Sequence, residues 1–159
     1  MDELPAVVEL AERVQRAFLR RSMTLASAES CTGGLVGYAL TEISGSSEYY
    51  LGGVISYSNE AKRNQLGVSA ATLERHGAVS AQAAVAMAEG ARRIFGADVA
   101  VAVTGIAGPA GGTPAKPVGL AYVAVADEAG SEVRRHQRHG DRHANRVASA
   151  GACLELVLE

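Results

Sequence analysis

Residues Ser27–Leu40 read SAESCTGGLVGYAL and join a short apolar strand to a helix of small residues. The segment 24–29 is apolar and flanked by polar residues, which predicts a buried strand. A helix is predicted from Gly33 to Glu42, ending at the Ser/Gly-rich segment 44–47. A strand that passes directly into a helix is typical of an α/β fold. The stretch therefore predicts a polar turn at a strand end of such a fold.

The rest of the chain continues this alternation of helices and strands. A first helix is predicted from apolar residues at helical spacing, and it ends near Arg20. Three further helices are predicted to begin at caps and end before glycines: one capped by Asn59 or Ser58, one by Ser69 and one by Ser80, with Gly67, Gly77 and Gly96 as their stops. The further predicted elements are strands at 50–57 and 98–104, helices ending at Leu66, His76 and Phe95, a hairpin at 118–126 and 131–138, and a last helix capped by Asp141.

This order of elements predicts a three-layer α/β/α sandwich with a mixed, mostly parallel β-sheet. No internal repeat or linker divides the 159 residues, so 1–159 is predicted to be a single domain. The apolar faces of the terminal helices are compatible with a homodimer or a higher homo-oligomer.

Composition argues against several classes of protein. The formal net charge is −2, which does not favour nucleic acid or an anionic membrane as a partner. The apolar runs are too short to cross a bilayer. Cys31 and Cys153 are the only cysteines, and with no secretory leader they are interpreted as reduced thiols in a cytoplasmic protein.

Three loops are predicted to form one ligand site. They are 29–34, 57–62 and 104–119, and each follows a predicted strand. Ligands of α/β sheets bind beyond the carboxyl ends of strands. We therefore expect these loops to lie together.

Ser30 is one candidate nucleophile in the first loop. Unpaired amides at the start of the following helix can hold the oxyanion of a tetrahedral intermediate, and Gly33 and Gly34 permit close approach of a substrate. The alternative is that Ser30 or Thr32 is only a helix cap and that the glycines serve packing.

Cys31 competes with Ser30, because a thiol at a helix N-terminus has a lowered pKa. Ser30 and Cys31 are expected to point in different directions, one toward the site and the other toward the core. Thiol nucleophiles usually work with histidine, and none of the four histidines falls in the three loops; they are His76, His136, His139 and His143.

Lys62 is the candidate base for Ser30. Of the 15 basic residues only Lys62 and Lys116 are lysines, and a lysine can act as a base when burial lowers its pKa to roughly 7–8. Tyr57 would orient the amine or relay a proton. The alternative is a surface lysine on an exposed helix.

The segment 104–119, TGIAGPAGGTPAKPVG, is rich in glycine and proline. Its open backbone amides, with Thr104, Thr113 and Lys116, suit a phosphate or another polar substituent. It matches neither a Walker A loop nor a dinucleotide-binding motif. The alternative is a rigid loop at a subunit contact.

Five segments taken together resemble one known family. They are AESCTGG at 28–34, GGVISYSNEAKRNQLGV at 52–68, GAVS at 77–80, VAVTGIAGPAGGTPAKPVG at 101–119 and GDR at 140–142. In this order they are similar to the C-terminal domain of the competence/damage-inducible CinA proteins, a family that includes stand-alone nicotinamide-nucleotide amidohydrolases.

The resemblance implies hydrolysis of nicotinamide mononucleotide (NMN) to nicotinate mononucleotide and ammonia, in pyridine-nucleotide salvage. It implies Ser30 as nucleophile with Lys62, assisted by Tyr57, and neither metal nor cofactor is expected. In our hypothesis the amides of 32–34 stabilise the oxyanion, the 104–113 loop binds the ribose phosphate, and Arg142 adds charge from this subunit or a neighbouring one. The predicted substrate-binding residues are Glu29, Cys31, Thr32, Gly33, Gly34, Thr104, Gly105, Gly108, Gly111, Gly112, Thr113 and Arg142.

The chain departs from the family pattern at two loop positions. Ala110 stands where the family usually has a third consecutive glycine, and Ala115 stands where it often has an acidic residue, which bears on substrate preference. The N-terminal pyrophosphatase-like domain of many relatives is also missing, so only the amidase half of a two-part function is expected. Two alternatives stay open: a non-catalytic nucleotide-binding or competence-associated interaction module, and an amidase for another small carboxamide.

Overall fold

A computed structural model describes residues 3–159 and shows five strands and six α-helices in that range. Met1 and Asp2, which the single-domain prediction includes, lie outside the described residues. The elements are α1 Leu4–Arg21, β1 Leu25–Glu29, α2 Leu35–Thr41, β2 Tyr50–Ile55, α3 Asn59–Leu66, α4 Ala70–His76, α5 Ala81–Phe95, β3 Val99–Gly105, β4 Leu120–Asp127, β5 Gly130–Gln137 and α6 Arg142–Leu158, with a 3₁₀ turn at Ser46–Glu48.

The sheet has the strand order β2-β1-β3-β4-β5. β1 pairs in parallel with β2 and β3, whereas β4 runs antiparallel to both of its neighbours. Within residues 3–159, four strands therefore run in one direction and only β4 runs against them. The predicted mixed, mostly parallel sheet is confirmed.

The two faces of the sheet carry side chains of different size. Along β3, the valines at 99, 101 and 103 belong to the core under α1, α2 and α6, while Ala100 and Ala102 face the layer of α3, α4 and α5. Side chains alternate along a strand, so the sequence VAVAV makes one face large and the other small. The predicted three-layer α/β/α sandwich is confirmed.

The small face lets α5 and α3 approach each other and the sheet closely. Alanines of α5 pack on the alanines of the strands. A Cβ added to Gly90 of α5 would lie 2.1 Å from the carbonyl oxygen of Leu66 at the end of α3, closer than real Cβ contacts allow. The absence of a side chain at Gly90 therefore lets the end of α3 pack directly against α5, and α3 is the helix that carries Lys62.

The chain changes winding direction at β1. From β1 it crosses through α2 to β2, and then returns over the other face, through α3, α4 and α5, to β3 on the far side of β1. Beyond the carboxyl ends of β1 and β3 this topology leaves a crevice, which is where α/β sheets bind ligands. In the described part of the chain, no helix is both long and apolar enough to cross a membrane.

Candidate active site

The three predicted loops meet at the crevice beyond β2, β1 and β3. They enclose a small pocket of about 180 Å³. Its lining comes from all three loops and from the turn before α5, and consists of Ser30, Cys31, Tyr57, Lys62, Ala78, Val79, Thr104, Gly105 and Ala107.

Ser30 and Lys62 lie side by side in this pocket. The amide of Ser30 bonds to Val103, which fixes the serine at the end of the β1–β3 ladder. The side chain of Ser58 caps α3 and so places Lys62 in the first turn of that helix. Lys62 Nζ lies 3.0 Å from Ser30 Oγ, and the lysine is only 1% exposed.

Backbone carbonyls complete the surroundings of the Lys62 amine. The carbonyl oxygens of Ser56 and Tyr57 lie 2.7 and 3.3 Å from Nζ. Among residues 3–159, no carboxylate oxygen lies within 4.0 Å of it. Burial lowers the pKa of Lys62 below its ordinary value. A neutral amine has two hydrogens for the two carbonyls and a lone pair for the serine hydroxyl.

Glu29 does not line the pocket, which corrects its assignment as a substrate-binding residue. Its buried carboxylate accepts bonds from the amides of Gly34, Val36 and Gly37 and from the Thr32 hydroxyl. An acid at a helix N-terminus also interacts favourably with the helix dipole. Glu29 is therefore the cap of α2.

The predicted oxyanion donors Gly33 and Gly34 are already engaged within the protein. The Gly33 amide bonds to the Ser30 carbonyl at 3.0 Å and the Gly34 amide to Glu29 Oε1 at 3.1 Å. Both glycines have positive φ, 60° and 111°, which is why α2 begins at Leu35 and not at Gly33 as predicted. The oxyanion role does not fit these two amides.

Cys31 contributes to both the pocket and the core. It lines the pocket wall and also belongs to the cluster on the valine face of the sheet. Burial raises the pKa of its thiol to about 11, and the Glu29 carboxylate adds to that rise. The prediction that the helix N-terminus lowers the pKa of this thiol is wrong, because the thiol is buried and the Glu29 carboxylate lies at the helix start. Cys31 is protonated at neutral pH.

Tyr57 acts on the lysine through its backbone. Its carbonyl accepts from Lys62, while its phenol, on a side chain that is 60% exposed, accepts from Arg142 Nη2 at 3.1 Å. Arg142 also donates to the Gly108 carbonyl at 2.7 Å. Arg142 of the same chain therefore connects the tyrosine to the glycine loop at the pocket mouth.

The glycine loop reaches the pocket only at its beginning. Thr104 is buried and donates to the Ala78 carbonyl, and Gly105 follows it in the wall. Thr113 closes a turn with Lys116, whose amine donates to the His76 carbonyl. The other predicted binding residues of the loop, Gly108, Gly111, Gly112 and Thr113, are outside the pocket lining.

Three residues in and around the site were not predicted from the sequence. Ser56 supplies a carbonyl to Lys62, Asn145 donates to the Ala107 carbonyl, and Arg146 bonds to the carbonyls of Cys31 and Thr32. The GDR segment at 140–142 pointed to the start of α6, where both Asn145 and Arg146 lie. In residues 3–159 no group of three or more His, Cys, Asp or Glu side chains is arranged to hold a metal ion.

Solved structures share this fold along nearly the whole chain. A competence/damage inducible protein from Agrobacterium tumefaciens is 46% identical with a TM-score of 0.90, covering 96% of this chain and 93% of that chain. A competence-damaged protein (CinA) superfamily protein from Escherichia coli is 29% identical with a TM-score of 0.93, covering 100% and 94%.

Curated relatives are also similar in sequence. A CinA-like protein from Salinibacter ruber is 54% identical over 139 residues, 87% of this chain and 34% of the relative. One from Geobacter sulfurreducens is 51% identical over 144 residues, 91% of this chain and 35% of the relative. The chain spans about a third of the length of these curated relatives. The model of the CinA C-terminal domain matches residues 7–159, and the chain belongs to that family.

Proposed function

We propose that the chain is a serine amidohydrolase that converts NMN to nicotinate mononucleotide and ammonia. The observation that carries the proposal is the 3.0 Å contact between Ser30 Oγ and the buried Lys62 amine, which has no acid partner among residues 3–159. The substrate is proposed from the resemblance of the motifs to nicotinamide-nucleotide amidohydrolases.

In the first step Ser30 Oγ attacks the carboxamide carbon, and the hydroxyl proton passes to the lone pair of Lys62 Nζ. The carbonyls of Ser56 and Tyr57 hold the other two hydrogens of the amine, so its lone pair stays directed at the serine. The C–N bond then breaks, the Lys62 ammonium returns the proton to the leaving nitrogen, and ammonia departs from an ester at Ser30.

In the second step water attacks the ester. Lys62 takes a proton from the water and delivers it to Ser30 Oγ as the C–O bond breaks, which releases the carboxylic acid and restores the hydroxyl. One water is consumed, and the released carboxylic acid loses its proton to solvent, where ammonia takes up a proton, so the net products are carboxylate and ammonium ion. The same amine serves as base and acid in both steps because it remains within hydrogen-bonding distance of the serine.

The backbone turn after Ser30 supplies the oxyanion donors in this proposal. Gly33 and Gly34 are engaged, but no backbone acceptor in residues 3–159 takes the amides of Cys31 and Thr32. Two donors placed next to the nucleophile would stabilise the charge on the carboxamide oxygen, and one such donor contributes about 3–4 kcal/mol to catalysis.

The size of the pocket fits the reacting end of the nucleotide. About 180 Å³ is below the roughly 300–1,000 Å³ of ordinary ligand pockets, so it suits the carboxamide ring while the ribose phosphate lies outside. At the mouth, Arg142 has no carboxylate within 4.0 Å in the described residues. Its guanidinium is the proposed phosphate ligand.

Ammonia release from NMN across a range of pH tests the proposal. We expect the wild-type protein to hydrolyse NMN, and kcat/KM to rise with pH because only the neutral Lys62 amine accepts the serine proton. The lowered pKa of Lys62 predicts a midpoint below about 10.4, the value of an unperturbed lysine.

Free nicotinamide is the matched substrate control, since it has the same carboxamide but no phosphate for Arg142. NMN bound in calorimetry without ammonia release would favour the non-catalytic binding module instead. Equal kcat/KM for NMN and nicotinamide would favour an amidase for other small carboxamides. A pH midpoint at or above that of an ordinary lysine would contradict Lys62 as the base.

A further inference from the structure

Arg146 reaches from α6 to the turn that carries the nucleophile. Its Nε donates to the Cys31 carbonyl and its Nη2 to the Thr32 carbonyl, both at 3.0 Å. The side chain is half-buried, and no carboxylate of residues 3–159 lies within 4.0 Å of its nitrogens. A partly buried cation thus interacts with two carbonyl oxygens instead of an acid.

The peptide plane transmits this contact to the other side of the turn. In a trans peptide the C=O of one residue and the N–H of the next point in opposite directions. The Cys31 carbonyl accepts from Arg146 of α6, so the Thr32 amide points away from Arg146. The helix α3, which brings Lys62 Nζ to Ser30 Oγ, packs on the face of the sheet opposite α6.

We propose that Arg146 is a positioning residue that aims and polarises the Thr32 amide as an oxyanion donor. This inference rests on the proposed function, since it names the group that supports its transition state. A charge-assisted bond to the carbonyl withdraws electrons from the peptide group and strengthens the bond donated by its N–H. Arg146 acts through the backbone and does not touch the substrate.

Contacts other than those of Arg146 also hold the turn. The positioning role of Arg146 can therefore be distinguished from a role in stabilising the turn. Glu29 holds the start of α2, and the Gly33 amide closes the turn on the Ser30 carbonyl. Neither contact involves the carbonyl of Cys31, which alone sets the direction of the Thr32 amide. Loss of Arg146 is therefore expected to lower the rate more than substrate binding.

Two variants test the inference in the full chain. Arg146→Met removes both donors and the charge, and we expect kcat for NMN to fall roughly 100-fold with KM within about threefold. Arg146→Lys keeps the charge and one donor, and we expect a loss of roughly tenfold. Arg92→Met is the matched control, because Arg92 also donates to a backbone carbonyl, that of Asp98, outside the pocket lining.

A second readout does not depend on the substrate. A fluorophosphonate probe reacts with a serine nucleophile: the Oγ–P bond forms, the P–F bond breaks, and the hydroxyl proton passes to Lys62 Nζ. We expect mass spectrometry to find the adduct on Ser30 and the labelling rate to fall in Arg146→Met and Arg146→Lys in the same order as kcat. Circular dichroism checks that each variant is folded. If Arg146→Met is not folded, the rates of Arg146→Lys decide on the inference.

Each outcome supports or overturns the inference. Folded Arg146 variants that label and turn over at the wild-type rate overturn it, as does a rise in KM with kcat unchanged. If the wild type labels at Ser30 but does not hydrolyse NMN, the substrate proposal fails, while the labelling rates still decide on Arg146. If Ser30 of the wild type is not labelled, both the assignment of Ser30 as nucleophile and the positioning role of Arg146 are overturned.

Discussion

The turn at 30–34 and the loop at 106–117 both follow central strands and both contain glycines, yet they are held differently. In the turn, the guanidinium of Arg146 binds the carbonyls of Cys31 and Thr32, and the carboxylate of Glu29 binds the amide of Gly34. In the loop, bonds from Asn145, Arg142 and Lys116 hold the two ends, and 109–115 is exposed. In the proposed function, this difference separates the segment that carries the chemistry from the segment that contacts a distant part of the substrate.

Physical chemistry explains why the two segments differ. In the proposed mechanism a nucleophile and its oxyanion donors must stay within a fraction of an ångström of their productive positions, a requirement that the several contacts of the turn would meet. A loop that contacts a distant part of a substrate tolerates variation. The departures from the family pattern, Ala110 and Ala115, both fall in the exposed part of the loop.

The largest expected effect comes from the turn itself. Ser30→Ala should lower kcat for NMN more than about 10³-fold because it removes the nucleophile. Cys31→Ala should retain activity within roughly tenfold, since burial keeps that thiol protonated. Ammonia release measures both. An active Ser30→Ala beside an inactive Cys31→Ala would reverse the assignment.

A smaller effect is expected from the carboxylate that caps α2. Glu29→Gln replaces one acceptor oxygen with a donor and leaves a helix amide unsatisfied, which should lower the free energy of unfolding by about 1–3 kcal/mol. Urea denaturation measures the change. Glu60→Gln, on the exposed surface of α3, is the control and should change it by less than about 0.5 kcal/mol. Equal stability of Glu29→Gln and wild type would show that the cap is dispensable.

The smallest effect is expected at the loop side of the mouth. Arg142→Met should raise KM for NMN roughly tenfold with kcat within about threefold, because it removes charge from a distant part of the substrate. Steady-state kinetics with NMN and free nicotinamide provide the measurement, and only NMN should respond. A larger loss of kcat than of binding would mean that the loop takes part in the chemistry.

The sequence predicted those parts of the fold that depend on local signals. Ser69, Ser80 and Asp141 cap α4, α5 and α6 as predicted, and of the two predicted candidates for α3, Asn59 and Ser58, it is Ser58 that caps the helix. The side chains of these caps bond to amides within the same turn. The glycine stops and the hairpin follow from equally local backbone preferences.

Contacts between distant residues were beyond prediction from local patterns. Glu29 is one of the predicted substrate-binding residues, but its partners are amides whose positions depend on the path of the next helix. Arg146 lies 115 positions from Cys31 along the chain. The carbonyls that hold Lys62 have no side-chain signature, although the sequence did indicate that lysine as the partner of Ser30.

The alternation of valine and alanine along β3 has a mechanical consequence for the lysine. The alanine face sets the distance of α5 from the sheet, and Gly90 of α5 allows the close packing that determines the position of α3. The position of Lys62 relative to β1 thus depends on how closely α5, against which α3 packs, approaches the sheet. A bulkier residue at Ala100 or Ala102 would push α5, and α3 with it, outward and so move the Lys62 amine away from the Ser30 hydroxyl.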